Sequence, residues 1–311
     1  MSQIKKIKLE GVIPATLIAF DEDFEINENA SRKHIKECAL TKGISAITVN
    51  GHSSEIHACN FEEQKTILNF SLDEIGDVLP VINGVYADGS IEAAKIAKMS
   101  DLNGASALLC FPPQSMSMGG YLRPEMAVEH FSRIADASDL PLICFNYPSS
   151  GNLTYPFETL LQLFEKIPSI KAIKDWSNDP MLHEKHIKTF QNLSNPVNVL
   201  TTHSSWLMSS LVMGAKGLLS GAGSVIASLQ VDLFLAIKNN DLKTAQKIND
   251  KMYPLVQAFY SPPFLDMHNR MKETLVLLGL MEKAIVRPPL MKISEKEINN
   301  LRKALKQSGL K

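Results

Sequence analysis

LPLICFNYPSSGNLTYPFETLLQLFEKIPSIKAIKDWS, residues 140–177, contains one whole strand–helix–strand unit. The run from Leu140 is apolar at nearly every position until Asn146 and Tyr147. The run from Ile170 behaves the same way until Lys174, Asp175 and Trp176. An apolar run without alternation is what a strand covered on both faces requires. Between them, Pro156–Glu165 has helical spacing and opens on a proline, which is tolerated in the first turn because its missing N–H has no partner there. Six more runs extend the pattern: GVIPATLIAF from Gly11, ISAITVNG from Ile44, LPVINGVYA from Leu79, SALLCFPP from Ser106, VNVLTTHS from Val197 and AKGLLSGAG from Ala215. Helical patterns separate them over 29–40, 61–75, from Ser90 (read as an N-cap), 124–137, 181–193, 205–213 and 226–238.

Strict alternation of strand and helix predicts a parallel sheet. Eight units before Asp241 predict a (β/α)8 TIM barrel, a fold of about 250 residues. A doubly wound open sheet is the rival, but GVIPATLIAFDED lacks the glycine-rich nucleotide turn expected after its first strand. The remainder reads as three helices, 241–260, 264–280 and 294–308. The expected organisation is a barrel over 1–240 with C-terminal helices over 241–311 packed on it as one structural domain.

Composition narrows the function. The 311 residues are 45 % hydrophobic and 21 % charged, which excludes a disordered chain, a collagen or a coiled coil. A net charge of -1 and the absence of basic runs give no reason to expect nucleic acid or a membrane surface as partner. No apolar run approaches the roughly 20 residues of a membrane span, and MSQIKKIKLEGV lacks the apolar core of a signal peptide. Cys38, Cys59, Cys110 and Cys144 form no C-x-x-C pair, so reduced thiols and a cytoplasmic location are expected.

In a barrel, chemistry collects at the C-terminal ends of the strands. Lys174 stands there among residues that need burial. A buried ammonium without a partner tends to lose its proton, and the neutral amine attacks carbonyl carbon to form a Schiff base. The bland alternative is a lysine paired with Asp175 or Glu55. His52 and His203, both at strand ends, are expected to face the cavity, where a neutral imidazole serves as acid or base. A metal-dependent aldolase site built from histidines and carboxylates is a competing reading. His183 and His186, within HEKHIK, are expected at the surface. SMSMGG, after the fourth run, is expected to be a lid over the barrel mouth or a contact with a neighbouring subunit.

Taken in order, these blocks resemble the dihydrodipicolinate synthase/N-acetylneuraminate lyase family of class I aldolases over essentially the whole chain, from GVIPATLIAFDEDFEIN through IKAIKDWS to SEKEINNLRKALKQSGL. The resemblance implies that Lys174 is the Schiff-base lysine and that pyruvate or a related 2-oxo acid is the substrate, with an aldehyde as the candidate second substrate. It also implies a homotetramer, with no organic cofactor and no metal. The family's carboxylate-binding turn falls on Gly51-His52-Ser53-Ser54-Glu55, where His52 and Ser54 depart from the G-[ST]-[ST]-G-E pattern. The family's Y-N-x-P tyrosine falls on Phe145, which has no proton to give. Tyr147 or His52 is expected to take over that task, and Phe145, His203 and Leu219 complete the expected substrate lining. Ser150 replaces the arginine of the dihydrodipicolinate synthases, and Pro112-Pro113-Gln114 replaces their tyrosines, so condensation with aspartate semialdehyde is not expected. A non-catalytic 2-oxo-acid-binding paralogue remains the alternative from another class.

Overall fold

Eight short strands lie parallel: Gly11–Pro14 (β1), Ile47–Val49 (β2), Val81–Val85 (β3), Ala107–Cys110 (β4), Leu142–Asn146 (β5), Ile170–Asp175 (β6), Asn198–Thr201 (β7) and Gly217–Ser220 (β8). In this computed structural model, which describes residues 7–311, they pair in the order β1-β8-β7-β6-β5-β4-β3-β2. Single parallel bridges, Val12 to Ile44 and Ala15 to Thr48, bring the two ends of the sheet together into a nearly closed (β/α)8 TIM barrel. Residues 1–6 of the segment expected to form the barrel lie outside the described residues. No helix among the described residues is long and apolar enough to cross a membrane.

The helices between strands are Glu28–Ala39 (α1), Phe61–Ile75 (α2), Ser90–Asn103 (α3), Pro124–Ala137 (α4), Phe157–Lys166 (α5), Pro180–Phe190 (α6), Leu207–Met213 (α7) and Gly223–Lys238 (α8). Their starts show why the chain turns where it does. Asn60 and Glu63 form a reciprocal capping box at α2, and Asp179 accepts from the Met181 and Leu182 amides at α6, with Pro180 in the first position. Two expectations are corrected. Ser90 is the first helical residue and not the cap, because its hydroxyl is engaged with His130 Nδ1 at 3.1 Å. The run GVIPATLIAF is strand only to Pro14, because the next amides part company: Ala15 donates to Ser220 and Thr16 donates to Thr48.

Three more helices follow, Leu242–Phe259 (α9), Met267–Leu277 (α10) and Glu295–Gln307 (α11). α10 is buried at every position from Met267 to Leu275, although HNRMKE reads as a surface sequence. Its two cations are met by tertiary partners. Arg270 donates to carbonyls of the 259–263 segment and to Glu297. Lys272 donates to Glu55 at 2.5 Å and to the Ile285 carbonyl at 2.7 Å. Arg287 adds its amide to Glu55 at 3.0 Å and its guanidinium to Glu63 at 2.5 Å. These contacts clamp the C-terminal helices over the barrel end that carries the strand-ending polar residues.

Candidate functional site

β6 has one exposed residue, Lys171, and from Ala172 onwards it is buried. Successive side chains of a strand point to opposite faces, so Lys174 and Asp175 part: Lys174 enters the barrel and Asp175 faces α6. Lys174 is 4 % exposed. Neither carboxylate that could have paired with it is free to do so. Glu55 is bound to Lys272, and Asp175 is bound to His183 and His186. Among the described residues Lys174 therefore has no ion-pair partner, and its Nζ lies 4.1 Å from the centroid of the Phe145 ring. Burial pushes its ammonium down to about 7, which makes a neutral amine abundant near neutrality.

That lowering has a cost in stability. Between about 7 and 10.5 the unfolded chain holds a proton on this lysine that the folded chain does not, so stability rises with pH across that window. Lys174→Met is expected to be more stable than the parent below pH 7, by a few kcal/mol at most. The gap should close as pH climbs towards 10. Urea midpoints at pH 6, 8 and 10 measure it, and a variant no more stable than the parent at pH 6 contradicts the reading of Lys174 as an unpaired buried amine.

The segment after β2 is held by two residues with left-handed backbone. Asn50 has φ 51° and Glu55 φ 54°, and the 3-10 turn His52–Ser54 lies between them. Such non-glycine conformations persist when the surroundings over-determine them. Asn50 donates to the Gln64 carbonyl at 2.7 Å and to Asn83 at 2.8 Å, and Glu55 holds Lys272 and the Arg287 amide. Gly84 on β3 is obligatory here, since a Cβ would stand 1.8 Å from the Asn50 carbonyl oxygen. Ser53 Oγ donates to the Ala15 carbonyl at 2.8 Å and Ser54 Oγ to that of Thr16 at 2.7 Å. Both hydroxyls are thus committed to fastening the turn, which leaves its backbone amides, and not its side chains, as the groups suited to an anion.

A cavity opens above Lys174, and His52, Ser53 and Phe145 share its wall with Trp176, Thr202 and Gly221 from the ends of β6, β7 and β8. Tyr260, just past α9, and Met267, His268 and Met271 of α10 complete it. Of the residues singled out from the sequence, then, Lys174, His52, Ser53 and Phe145 come together. Gly51 and Ser54 serve the turn from behind. Tyr147 packs on Phe145, with ring centroids 4.6 Å apart, and stands 6.2 Å from His52, outside the lining residues. Leu219, fully buried in β8, also lies outside them.

His52 is half-buried, and burial, followed by Lys174 and His57, pushes its imidazole down to about 3. It is a neutral ring, able to donate and accept. The residues the sequence did not single out are Gly221 and, from the C-terminal region, Tyr260, Met267, His268 and Met271.

Behind the barrel wall a second polar cluster corrects two expectations. His183 and His186 are both fully buried. Three residues apart on α6, they share the face that meets Asp175, while Glu184, Lys185 and Lys188 point to solvent. Their Nδ1–H groups donate to Asp175 Oδ2 at 2.7 and 2.8 Å, the Ser177 amide donates to Oδ1 at 2.9 Å, and Ser210 donates to His183 Nε2 at 2.6 Å. Burial pushes the Asp175 carboxyl up, but the two imidazole hydrogen bonds outweigh it and hold the group well below its ordinary range. His203 belongs on this side too. It stacks on Trp206 at 4.0 Å and lines a separate cleft with Asn178 and Ser204, so it does not reach the Lys174 cavity. The reason is the turn at His203, whose backbone leaves the strand direction after Thr201. Asp175, His183 and His203 each bring a ligand-capable atom within 4.8 Å of the others, and among the described residues they are the group that could hold a metal ion. The hydrogen bonds just described already satisfy the carboxylate.

SMSMGG forms two exposed 3-10 turns, Gln114–Met118 and Gly120–Leu122. Met116, Met118 and both glycines border a different surface cleft, beside Arg123 and Glu129, and none of them lines the Lys174 cavity.

Comparison with known proteins agrees with this architecture. The sequence profile of the Dihydrodipicolinate synthetase family matches residues 8–308. The 4-hydroxy-tetrahydrodipicolinate synthase of Methanopyrus kandleri is 28 % identical over 311 aligned positions, covering 97 % of both chains. The enzyme of the same name from Bartonella henselae is 28 % identical, over 97 % of this chain and 99 % of its own. Among solved structures, YagE of E. coli K12, a prophage protein of the dihydrodipicolinic acid synthase family in complex with pyruvate, superposes with a TM-score of 0.89 at 21 % identity over 97 % of this chain and 99 % of its own. The dihydrodipicolinate synthase of Aquifex aeolicus gives 0.86 at 24 % identity, with 97 % and 99 % coverage.

Proposed function

This chain belongs to the dihydrodipicolinate synthetase family, and we propose that it works there as a class I lyase in which Lys174 forms a Schiff base with pyruvate or a related 2-oxo acid. The observation that carries the reading is the unpaired amine of Lys174, buried, lowered to about 7 and facing the cavity. The neutral amine adds to C2, and loss of water with uptake of one proton from solvent leaves a protonated imine. That cation is an electron sink. Losing a C3 proton gives an enamine that adds to an aldehyde, and the reverse flow cleaves a carbon–carbon bond. The turn at His52 and Ser53 supplies amides for the carboxylate. His52, neutral and beside the amine, is suited to proton transfer, with Tyr147 behind it.

Several relatives are named 4-hydroxy-tetrahydrodipicolinate synthase, but the surroundings of Lys174 do not favour that substrate pair. Among the described residues no arginine or second lysine lines the cavity, and Ser150, which stands in for the arginine of those synthases, is exposed. One substitution favours the second reading, a 2-oxo-acid-binding protein without turnover: Phe145, where the family carries its tyrosine.

Exchange of pyruvate methyl protons in D2O, followed by NMR, separates the two. A lyase exchanges them through the enamine, whereas a binder does not. Because the attacking form of Lys174 is neutral, exchange at subsaturating pyruvate should rise about tenfold per pH unit below 7 and level off above it. Exchange that is undetectable, or that falls with rising pH, overturns the lyase reading.

A further inference from the structure

α10 presents its first turn to the Lys174 cavity through Met267, His268 and Met271. His268 is fully buried, and neither of its ring nitrogens has a hydrogen-bond partner among the described residues. That makes it unlike the other buried histidines. His34 accepts from the Leu17 amide, His130 meets Ser90, His183 and His186 meet Asp175, and His203 meets Asn178. In either neutral tautomer His268 therefore carries one unmet donor and one unmet acceptor, and burying both is unfavourable unless something in the cavity meets them. An apolar residue at this position would avoid the cost altogether. The ring is packed edge-on against His52 at 4.7 Å, with His57 at 6.4 Å. Burial, then His52, His57, Lys272 and Lys174, lowers it well below its ordinary range, so it stands neutral with one ring nitrogen bare.

We propose that His268 is a catalytic residue that exchanges a proton with the oxygen at C4 of the substrate as the C3–C4 bond breaks or forms, and that the group beyond C4 is uncharged. The assignment rests on the Schiff-base reading of Lys174. In cleavage, a neutral nitrogen of His268 takes the C4 hydroxyl proton. The C3–C4 electron pair flows into the protonated imine, giving a neutral enamine, the aldehyde and an imidazolium. The imidazolium proton is then free to return to C3. Condensation is the same sequence reversed, so charge and electrons balance without any further reactant. The limit on charge comes from the wall. Among the described residues the one lysine of the lining, Lys174, becomes the imine, and apart from the uncharged His52, Ser53, Thr202, Gly221 and His268 the wall is Met267, Met271, Trp176, Phe145 and Tyr260. A carboxylate beyond C4 would find no counter-charge there, whereas an alkyl or aryl group fits such a wall.

The test compares the parent with His268→Leu and His268→Gln in two assays. One is borohydride trapping of pyruvate on Lys174. The other is steady-state cleavage of 4-hydroxy-2-oxopentanoate, 4-hydroxy-2-oxo-4-phenylbutanoate and 4-hydroxy-2-oxoglutarate. Trapping is expected at the parental level in both variants, while kcat for the uncharged substrates falls by about 100-fold or more. His268→Gln keeps a hydrogen-bonding side chain, so its KM should stay within about threefold while kcat falls with that of the leucine variant. Since the histidine has no partners to lose, His268→Leu should also melt at or above the parental Tm. Parental cleavage rates in both variants overturn the proposal, as does a loss of trapping and cleavage in equal proportion, which marks a structural role. A parent that traps pyruvate but prefers the oxoglutarate probe, or cleaves neither uncharged one, overturns the uncharged second substrate. A parent that traps no 2-oxo acid at all fails earlier, at Lys174.

Discussion

Lys174→Ala is expected to form no adduct with pyruvate and to lose roughly a thousandfold or more in kcat, as nucleophile deletions do. Lys174→Arg should lose as much, although it restores a cation, because guanidinium stays protonated and does not attack carbonyl carbon. The pair of variants therefore separates a nucleophile from a mere positive charge. The protein should also tolerate them well. Lys174 makes no ion pair among the described residues, so its removal orphans no carboxylate. Turnover in either variant above a tenth of the parent's would mean that the bond-making chemistry lies elsewhere.

The second large effect falls on Glu55. Its carboxylate and the ammonium of Lys272 are both fully buried, at 2.5 Å. Burial lowers the pKa of Lys272, and Glu55 opposes that lowering through charge and hydrogen bond. Glu55→Ala strips the ammonium of its counter-charge and the Arg287 amide of its acceptor, and is expected to cost about 3–5 kcal/mol. Glu55→Leu combined with Lys272→Met should recover much of this loss, since replacing both members of a buried pair leaves no uncompensated charge. Urea unfolding of the two single variants and the double measures the coupling. A single-variant loss below about 1 kcal/mol would show that the clamp between α10 and the turn after β2 contributes little. Because Glu55 ends the turn that carries His52 and Ser53, any folded single variant should also bind pyruvate more weakly.

What could be read in the sequence divides along physical lines. The eight strands were legible because both of their faces are covered, and runs such as LPLICFNYP have no polar face to blur the period. Lys174 was legible for a related reason, as a charge inside such a run. α10 was legible as a helix within 264–280, but its burial was not: HNRMKE looks solvated, and only the folded chain brings Glu55, Glu297 and the carbonyls around Phe259 to Arg270 and Lys272. His183 and His186 failed in the same way, since their shared helix face was visible but the Asp175 beneath it was not. His203 and Leu219 sit at strand ends as expected, but the backbone turn at one and the inward packing of the other keep both out of the cavity. His268 left one trace, a histidine beside methionines at the start of a helix, which has no meaning until the barrel mouth lies under it.

The most direct measurement is borohydride reduction of the protein with pyruvate, followed by intact mass and peptide mapping. The account predicts a single reduced adduct per chain, mapped to Lys174, forming faster at pH 8 than at pH 6 and absent from Lys174→Ala. An adduct on another lysine, or none with pyruvate or with longer 2-oxo acids, would contradict it.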